Sequence, residues 1–131
     1  MRSGVLFVSG QHDDARRLSR MLEGLPLRLD HVETIQGARA MLRRDDYDVV
    51  LTETVLSDGS WVDVLFLARN SARGLEVIVT DLHADARFWA EALNRGAYDV
   101  LPQPFCASEV RRILANAASR LAASASHMAA V

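Results

Sequence analysis

Short apolar runs alternate along this chain with segments in which apolar residues return at wider intervals. Four runs rich in valine, leucine and isoleucine cover residues 5–8, 49–51, 77–79 and 100–101. Continuous apolar runs of this length are typical of strands that are covered on both faces. A weaker run at residues 27–32 completes a set of five. The pattern therefore predicts five buried strands.

The segments that follow the runs show helical periodicity. In each of them apolar side chains recur every three or four positions, as expected for a helix with one buried face. The apolar positions are Leu18, Met21, Leu22 and Leu25; Ile35, Ala38, Met41 and Leu42; Val62, Leu65 and Phe66; Phe88, Ala92 and Leu93; and Val110, Ile113, Leu114, Ala117 and Leu121. Five helices are predicted, the last of them over residues 107–121.

Several polar residues and one glycine fit the ends of these helices. Asp13 is the predicted N-cap of the first helix and Ser60 that of the third, because their side-chain oxygens can accept from free backbone N–H groups. The fourth helix is predicted over residues 85–95, with Gly96 as its C-terminal stop. Asp14 then fits as a first-turn acid of the first helix, where the helix dipole favours negative charge.

Strand and helix alternate five times, which predicts an α/β domain with a doubly wound parallel sheet between two helical layers. We place this domain at residues 1–121 and interpret residues 122–131, rich in alanine and serine, as a tail or linker. Ligand sites in such sheets lie at the carboxyl ends of the strands. The residues just after the strands are Ser9, Gly10, Glu53, Thr80, Asp81 and 102–104.

Composition narrows the chemistry. The 131 residues include 15 basic ones, all arginine, against 17 acidic ones, for a net charge of −2. Without lysine there is no Schiff-base or Walker-type site, and a near-even charge points neither to nucleic acid nor to a membrane surface. The lone Cys106 excludes an intramolecular disulfide and is expected to be a small buried side chain. No segment fits a signal peptide or membrane span, so a cytoplasmic protein is expected.

Two segments carry a resemblance to a known family. Residues 47–59 read YDVVLTETVLSDG and residues 96–105 read GAYDVLPQPF. In order and spacing these segments resemble the third strand with its loop, and the fifth strand with its Lys-Pro-Phe ending, in the receiver domain of bacterial two-component response regulators. The resemblance covers about residues 4–121. It implies a flavodoxin-like three-layer fold with strand order 2-1-3-4-5.

The resemblance also implies positions for a phosphorylation site, and most of them hold other residues here. Glu53 takes the place of the phosphoacceptor aspartate, and Ser9 and Gly10 take the places of the acidic pair that helps to hold Mg²⁺. Thr80 keeps the hydroxyl that would bind the phosphoryl group, while neutral Gln103 replaces the lysine. Phosphoryl transfer depends mainly on positioning and charge neutralisation, so these changes predict the loss of ordinary Mg²⁺-dependent phosphorylation and no bound cofactor.

Three further positions follow from the resemblance or compete with it. Val100 stands where the family's switch aromatic is usual, and the bond before Pro104 is expected to be cis. Asp58 is a possible alternative acceptor, but a solvated aspartate in a turn is the preferred interpretation.

Glu53 is either an inert strand-end carboxylate or a mimic of the phosphorylated state. Mimicry would require a hydrogen bond from Thr80 to Glu53, with Gln103 nearby.

The leading hypothesis is a degenerate receiver of a phosphorelay, not an enzyme, that acts by binding a sensor kinase, an output domain or another receiver. Its expected contact surface, also a possible homodimer interface, comprises the fourth helix, fifth strand and fifth helix, with Arg87, Glu91, Arg95, Arg111 and Arg112 exposed. The first alternative is an active phosphoacceptor with unusual Mg²⁺ ligands. A small α/β enzyme or nucleotide-binding domain is the second, although no phosphate-binding glycine pattern follows the first strand.

Overall fold

The computed structural model describes residues 3–71 and 74–129, and of residues 120–129 it describes only the backbone. The strands are β1 (Ser3–Val8), β2 (Leu27–Val32), β3 (Val49–Glu53), β4 (Val55–Leu56), β5 (Gly59–Ser60), β6 (Glu76–Asp81) and β7 (Asp99–Pro102). The helices are α1 (His12–Met21), α2 (Ile35–Arg44), α3 (Trp61–Arg69), α4 (Ala86–Arg95) and α5 (Ala107–Ala129).

The main sheet is parallel and has the order β2-β1-β3-β6-β7. Its five strands are those expected from the apolar runs, and their order is the 2-1-3-4-5 arrangement that the resemblance implies. Both predictions are confirmed. The short antiparallel pair β4–β5 was not predicted, because two-residue strands leave no periodicity to read.

Alternate residues of the central strands face the two helical layers. On one side Phe7 packs with Leu18 of α1 and Leu114 of α5. On the other side Leu6 packs with Ala38 of α2, and a neighbouring cluster joins α3 to α4. Phe7 and Leu6 are both completely buried. A sheet covered on both faces explains why its strands read as continuous apolar runs rather than as alternating ones.

The predicted caps of α3 and α4 are confirmed. The Ser60 side chain accepts from the Val62 N–H, and Asp63 closes a capping box with the Ser60 backbone. The fourth helix ends at Gly96, whose φ of 112° is the left-handed conformation that glycine adopts at low cost. The prediction for α1 is wrong: Gln11 is its N-cap, without a side-chain cap bond, and Asp13 lies in the first turn.

The last helix is longer than expected, since α5 runs to Ala129 and its backbone continues past Leu121. Most of the segment interpreted as a tail is therefore helical. Even so, none of the helices in the described ranges combines the length and the apolar character needed to cross a membrane.

Gly4 of β1 lies where the backbone and a side-chain network come close together. A Cβ atom at Gly4 would stand 2.8 Å from the Asp46 carbonyl oxygen, 2.9 Å from Arg28 Nη2 and 3.1 Å from Tyr47 Cδ1. We expect Gly4→Ala to lower the free energy of unfolding by about 1–3 kcal/mol, since the crowded atoms must move. Urea unfolding measures the change. Gly74→Ala, where a Cβ meets nothing within 4 Å, should change it little, and equal losses in both would contradict the explanation.

Candidate functional site

A cavity of about 370 Å³ opens at the carboxyl ends of β3, β6 and β7, where the topology places the ligand site of such a sheet. Three of the predicted site residues, Glu53, Thr80 and Gln103, line it together. The remaining lining residues are Gln11, Asp14, Thr54, Val55, Asp81 and Leu82. The structure therefore brings together the side chains that sequence spacing placed in one site.

Ser9 holds the carboxylate of Glu53. The hydroxyl of this completely buried serine donates to Glu53 Oε1 at 2.7 Å, and its oxygen accepts from the Gln11 N–H at 2.9 Å. The Ser9 carbonyl oxygen lies 2.7 Å from His31 Nε2. The residue at one acidic-pair position thus serves as a donor to the residue at the phosphoacceptor position.

The surroundings of Glu53 disfavour its charge. Partial burial, the largest effect, raises the pKa of the Glu53 carboxyl above its ordinary value, and the negative charge of Asp14 raises it further. The hydrogen bond from Ser9 acts in the opposite direction and stabilises the carboxylate. A second anionic group arriving in this cavity would increase the repulsion unless it brought a cation.

Asp14 belongs to this site, although the sequence favoured a first-turn acid over the alternative that Asp13 and Asp14 replace the acidic pair. It lies in the first turn of α1 as expected, yet it lines the cavity, and its side chain is only 16% exposed. The predicted topology could have placed Asp14 in the site, because a helix that follows β1 begins at the same edge of the sheet as Glu53. A lone acid in a first turn is usually explained by the helix dipole alone.

Thr80 does not bond to Glu53, although the two residues are register partners on β6 and β3. The buried Thr80 hydroxyl donates to the Leu101 carbonyl oxygen at 2.7 Å and accepts from Gln103 Nε2 at 3.2 Å. Gln103 is nearby, as expected. The Thr80–Glu53 bond that mimicry would require is not formed: Glu53 accepts from Ser9, and Thr80 donates to Leu101 of β7.

At the switch-aromatic position, the side chain of Val100 is completely buried and packs with Val79 and Ala92. It is part of the core between the sheet and α4. After β7, the Gln103–Pro104 peptide bond is cis, as the resemblance implied.

Asp58 closes the N-terminus of α2. Its carboxylate accepts from the Ile35 N–H at 2.9 Å and from the Gln36 N–H at 3.0 Å, and these bonds lower the pKa of the Asp58 carboxyl. Asp58 is an exposed turn residue, as the preferred interpretation has it. The sequence did not reveal that its carboxylate also binds the free amides at the start of α2. The side chain lines a different cavity from Glu53.

Removing this cap is expected to destabilise the protein in a pH-dependent way. The pKa of Asp58 is lower in the folded protein, so its stabilisation is present above the ordinary value of 3.8 and is lost as the pH falls through the folded value. We expect Asp58→Ala to lower the melting temperature at pH 7 and to differ less from the parent in strong acid. Thermal unfolding monitored by circular dichroism measures both. The neighbouring Ser57→Ala provides the control, and an unchanged pH 7 melting temperature for Asp58→Ala would contradict the capping role.

At the acidic-pair positions the oxygen donors do not suit Mg²⁺, which prefers carboxylates and water. Ser9 offers a buried neutral hydroxyl that is already bonded to Glu53, and Gly10 has no side chain. Within residues 3–71 and 74–129, no group of three or more histidine, cysteine or acidic side chains is arranged to hold a metal ion.

Four of the five residues expected on the contact surface lie exposed there: Arg87, Glu91, Arg95 and Arg112. Three of them are ion-paired within their own helices: Arg95 pairs with Glu91 at 3.4 Å, and Arg112 pairs with Glu109 at 2.7 Å. Exposed pairs of this kind contribute little to stability, so these charges remain available to a partner.

Arg111 is not part of that surface. Its guanidinium donates to the carbonyl oxygens of Met21 at 3.1 Å and of Glu23 at 2.8 Å. These are carbonyls at and just after the end of α1, where intrahelical donors are missing. The prediction for Arg111 is therefore wrong, and the residue instead fastens α5 to α1.

The prediction for Cys106 is also wrong, since this residue is exposed. Its sulfur lies 3.3 Å from the Ser108 hydroxyl, and bonds from that hydroxyl and from backbone amides at the start of α5 lower the pKa of the thiol. The cysteine precedes the first residue of a helix, and its short side chain turns to the free amides there rather than to the core.

Comparison with known proteins gives consistent results at the levels of sequence and fold. No protein-family model matches the chain. Over 116 residues it is 26% identical to the response regulator protein PilR of Pseudomonas aeruginosa, a match that covers 88% of this chain and 26% of that protein. The chain thus spans about a quarter of the length of this curated relative.

Solved receiver domains share the fold. The signal receiver domain of a putative LuxO repressor protein from Vibrio parahaemolyticus superposes with a TM-score of 0.87 at 23% identity, covering 95% of each chain. The beryllofluoride-activated NtrC4 receiver domain dimer gives 0.80 at 24% identity, covering 90% of this chain and 98% of that one. The chain therefore has the fold of solved receiver domains, and the PilR match agrees with its resemblance to the receiver domains of response regulators.

Proposed function

We propose that this chain is a receiver module of a two-component phosphorelay that no longer undergoes ordinary Mg²⁺-dependent phosphorylation and that acts by binding other proteins. The observation that carries the proposal is the 2.7 Å bond from the buried Ser9 hydroxyl to Glu53. A phosphoacceptor must present a free carboxylate oxygen to the donor, and a metal must have anionic oxygens beside it. Here one oxygen of Glu53 is held, and the neighbouring position supplies a neutral group.

The charge balance of the cavity supports the same proposal. A transferred phosphoryl group brings close to two negative charges at neutral pH. Asp14, Glu53 and Asp81 already line the cavity, and Gln103 supplies an amide in place of a cation. Without lysine or a metal site, nothing in the lining neutralises the incoming charge.

We interpret Glu53 as an inert, internally bonded carboxylate rather than as a mimic of phosphorylation. The carboxylate is held by Ser9 on β1's side of the cavity, while Thr80 is bonded to Leu101. A mimic would need to engage Thr80, because that hydroxyl is the contact by which the family senses the phosphoryl group. The module is then fixed in one state and signals through its abundance and its partners.

The proposed contact surface comprises α4, β7 and α5, with Arg87, Arg95 and Arg112 as its exposed cations. Leu93 adds an apolar side chain that is 48% exposed beside them. A mixed surface of this kind suits a protein partner with an acidic rim, such as a sensor kinase, an output domain or another receiver. We assign the module no enzymatic activity and place its encounters in the cytoplasm.

One alternative retains a specific observation in its favour. Asp14 lies in the cavity with Glu53 and raises the pKa of its carboxyl, so two carboxylates at one site offer a rudimentary cation site. An active phosphoacceptor would use this pair in place of the family's acidic residues. This alternative predicts that Mg²⁺ binds and that Glu53 reacts.

Titration with Mg²⁺ and beryllofluoride, an analogue of a bound phosphoryl group, separates the two functions. Trp61 and Trp89 report on the domain by fluorescence. The proposal predicts no saturable change at any Mg²⁺ concentration up to several millimolar. A saturable change that requires both Mg²⁺ and beryllofluoride, and that Glu53→Gln or Asp14→Asn abolishes, would establish the alternative and overturn the proposal.

A further inference from the structure

A second surface with a distinctive arrangement of charge lies between α2 and α3, away from the Glu53 cavity. Two adjoining depressions of about 570 and 320 Å³ run along this boundary, and we call them together the α2–α3 groove. Phe66 and Leu67 of α3 line it. Phe66 is 69% exposed, an unusually open position for a large aromatic side chain.

The two ends of the groove carry opposite charges. Asp58 and Asp63 line one end, where α2 and α3 both begin. Arg39 lines the first depression together with Asp58, whose pKa its charge lowers, whereas Arg43, one helical turn further along α2, lines only the second. Neither arginine forms an ion pair with any residue that the structure describes. The groove is therefore polarised from acidic to basic along its length.

Phe66 stands near the middle of this charge gradient. The starts of α2 and α3 lie side by side, since a Cβ on Gly59 would come within 2.6 Å of Ile35 Cδ1. At about 1.5 Å per residue, Phe66 is about 7 Å along α3, and Arg43 is about 12 Å along α2. An apolar centre thus separates the two charged ends.

A surface with this layout is complementary to itself. Rotation by 180° about an axis at Phe66 brings the acidic end of one copy over the basic end of the other and places the two Phe66 rings together. Isologous dimers are built in this way, with one patch meeting the same patch. We propose that the partner of the α2–α3 groove is a second copy of this chain, docked antiparallel about Phe66.

The area of the α2–α3 groove determines how strong the proposed dimer can be. Helices of ten and nine residues offer a footprint of about 300 Å² per copy, whereas stable interfaces bury about 800 Å² per partner. The dimer is therefore weak and depends on protein concentration. Such an association would become important where the chain is held at high local concentration, for example when tethered to an assembly. The proposal does not depend on whether Glu53 can be phosphorylated.

Sedimentation of the full chain over a concentration series tests the proposal. We expect the weight-average mass to rise towards two copies and the rise to weaken with added NaCl, because opposite charges meet across the interface. Phe66→Ala and Arg43→Glu should each weaken association by about tenfold or more, as for loss of a central anchor. Arg20→Glu, a matched charge reversal at an exposed arginine of α1, should leave it unaltered.

The position of the axis is tested by cross-linking. In a Cys106→Ser background, Phe66→Cys should form a disulfide-linked dimer when an added oxidant removes two electrons and two protons from the paired thiols, since residues on the axis approach within about 7 Å. Ser19→Cys, at an exposed position of α1, should not do so in the same background. A chain that stays monomeric at all concentrations, or an association that Arg20→Glu abolishes and Phe66→Ala does not, would overturn the proposal. Capture of another protein by the monomer would assign the groove to that partner instead.

Discussion

Replacing Ser9 with alanine is expected to lower the free energy of unfolding by about 1–3 kcal/mol, the usual cost of leaving buried polar groups without their partner. Two bonds are lost together, the one donated to Glu53 and the one accepted from the Gln11 N–H. The side chain is completely buried, so water does not simply take its place. This substitution therefore tests directly whether the hydrogen bonds of Ser9 stabilise the site around Glu53.

The same substitution should alter the pH dependence of stability. The pKa of Glu53 is already raised in the folded protein above its ordinary 4.5, so the folded state binds the proton more tightly and stability falls as the pH rises through this range. Ser9 opposes that shift, and Ser9→Ala should extend the falling range to higher pH.

Urea unfolding between pH 4.5 and 8 measures both effects of Ser9→Ala, with Ser57→Ala as an exposed serine control. A double variant that also carries Glu53→Gln should lose the pH dependence that Ser9→Ala adds. If Ser9→Ala matches the parent at every pH, the bond to Glu53 has no energetic role and the proposed inert site loses its main support.

The largest gain of function is expected when the family's charged residues are restored together. The variant Ser9→Asp, Gly10→Asp, Glu53→Asp, Gln103→Lys would supply an acidic pair, a shorter acceptor and a cation in the existing cavity. Gly10 can take a side chain, because a Cβ there meets nothing within 4 Å. We expect Mg²⁺-dependent, saturable beryllofluoride binding in this variant and none in the parent.

The cost of this restoration is predictable. Ser9 is completely buried and donates to Glu53. An aspartate in its place would not donate when ionised, so the clustered carboxylates should lower stability in the absence of Mg²⁺. Added Mg²⁺ should therefore raise the melting temperature of the restored variant but not that of the parent. A matched variant that lacks only Gln103→Lys should bind beryllofluoride more weakly. A folded restored variant that binds no better than the parent would show that the four positions do not explain the difference.

Most of the fold could be predicted from the sequence, because its strands and several helix ends follow local rules. Runs such as 49–51 are apolar throughout because the sheet is covered on both faces, and local rules suffice for caps such as Ser60 and Gly96. Those rules failed at α1, where Gln11 occupies the cap without a side-chain bond and Asp13 follows it. Cap assignment depends on backbone angles that differ by one or two positions, which sequence alone does not fix.

The sequence predicted which residues line the candidate site, but not the hydrogen bonds that they form. Spacing placed Glu53, Thr80 and Gln103 at one edge of the sheet, and they do line one cavity. The donor to Glu53 depends on side-chain rotamers, so the sequence left open whether Thr80 would bind it, and the Ser9 bond was not foreseen.

Long-range partners were missed for the same reason. Asp58 binds the start of α2 across 22 or 23 residues, and Arg111 binds the end of α1 across about 90. The local sequence of either residue does not indicate its partner, because the group that it binds is a backbone N–H or carbonyl in each case, and nearly every residue carries both. Such contacts emerge only when the helices are packed.

We propose that Glu53 does not accept a phosphoryl group in this receiver fold. The decisive measurement is the intact mass of the protein after incubation with Mg²⁺ and a small acyl phosphate donor. We predict an unchanged mass under conditions that label the four-residue restored variant. A phosphoryl mass increment on the parent protein that requires Mg²⁺ and disappears in Glu53→Gln would contradict the claim.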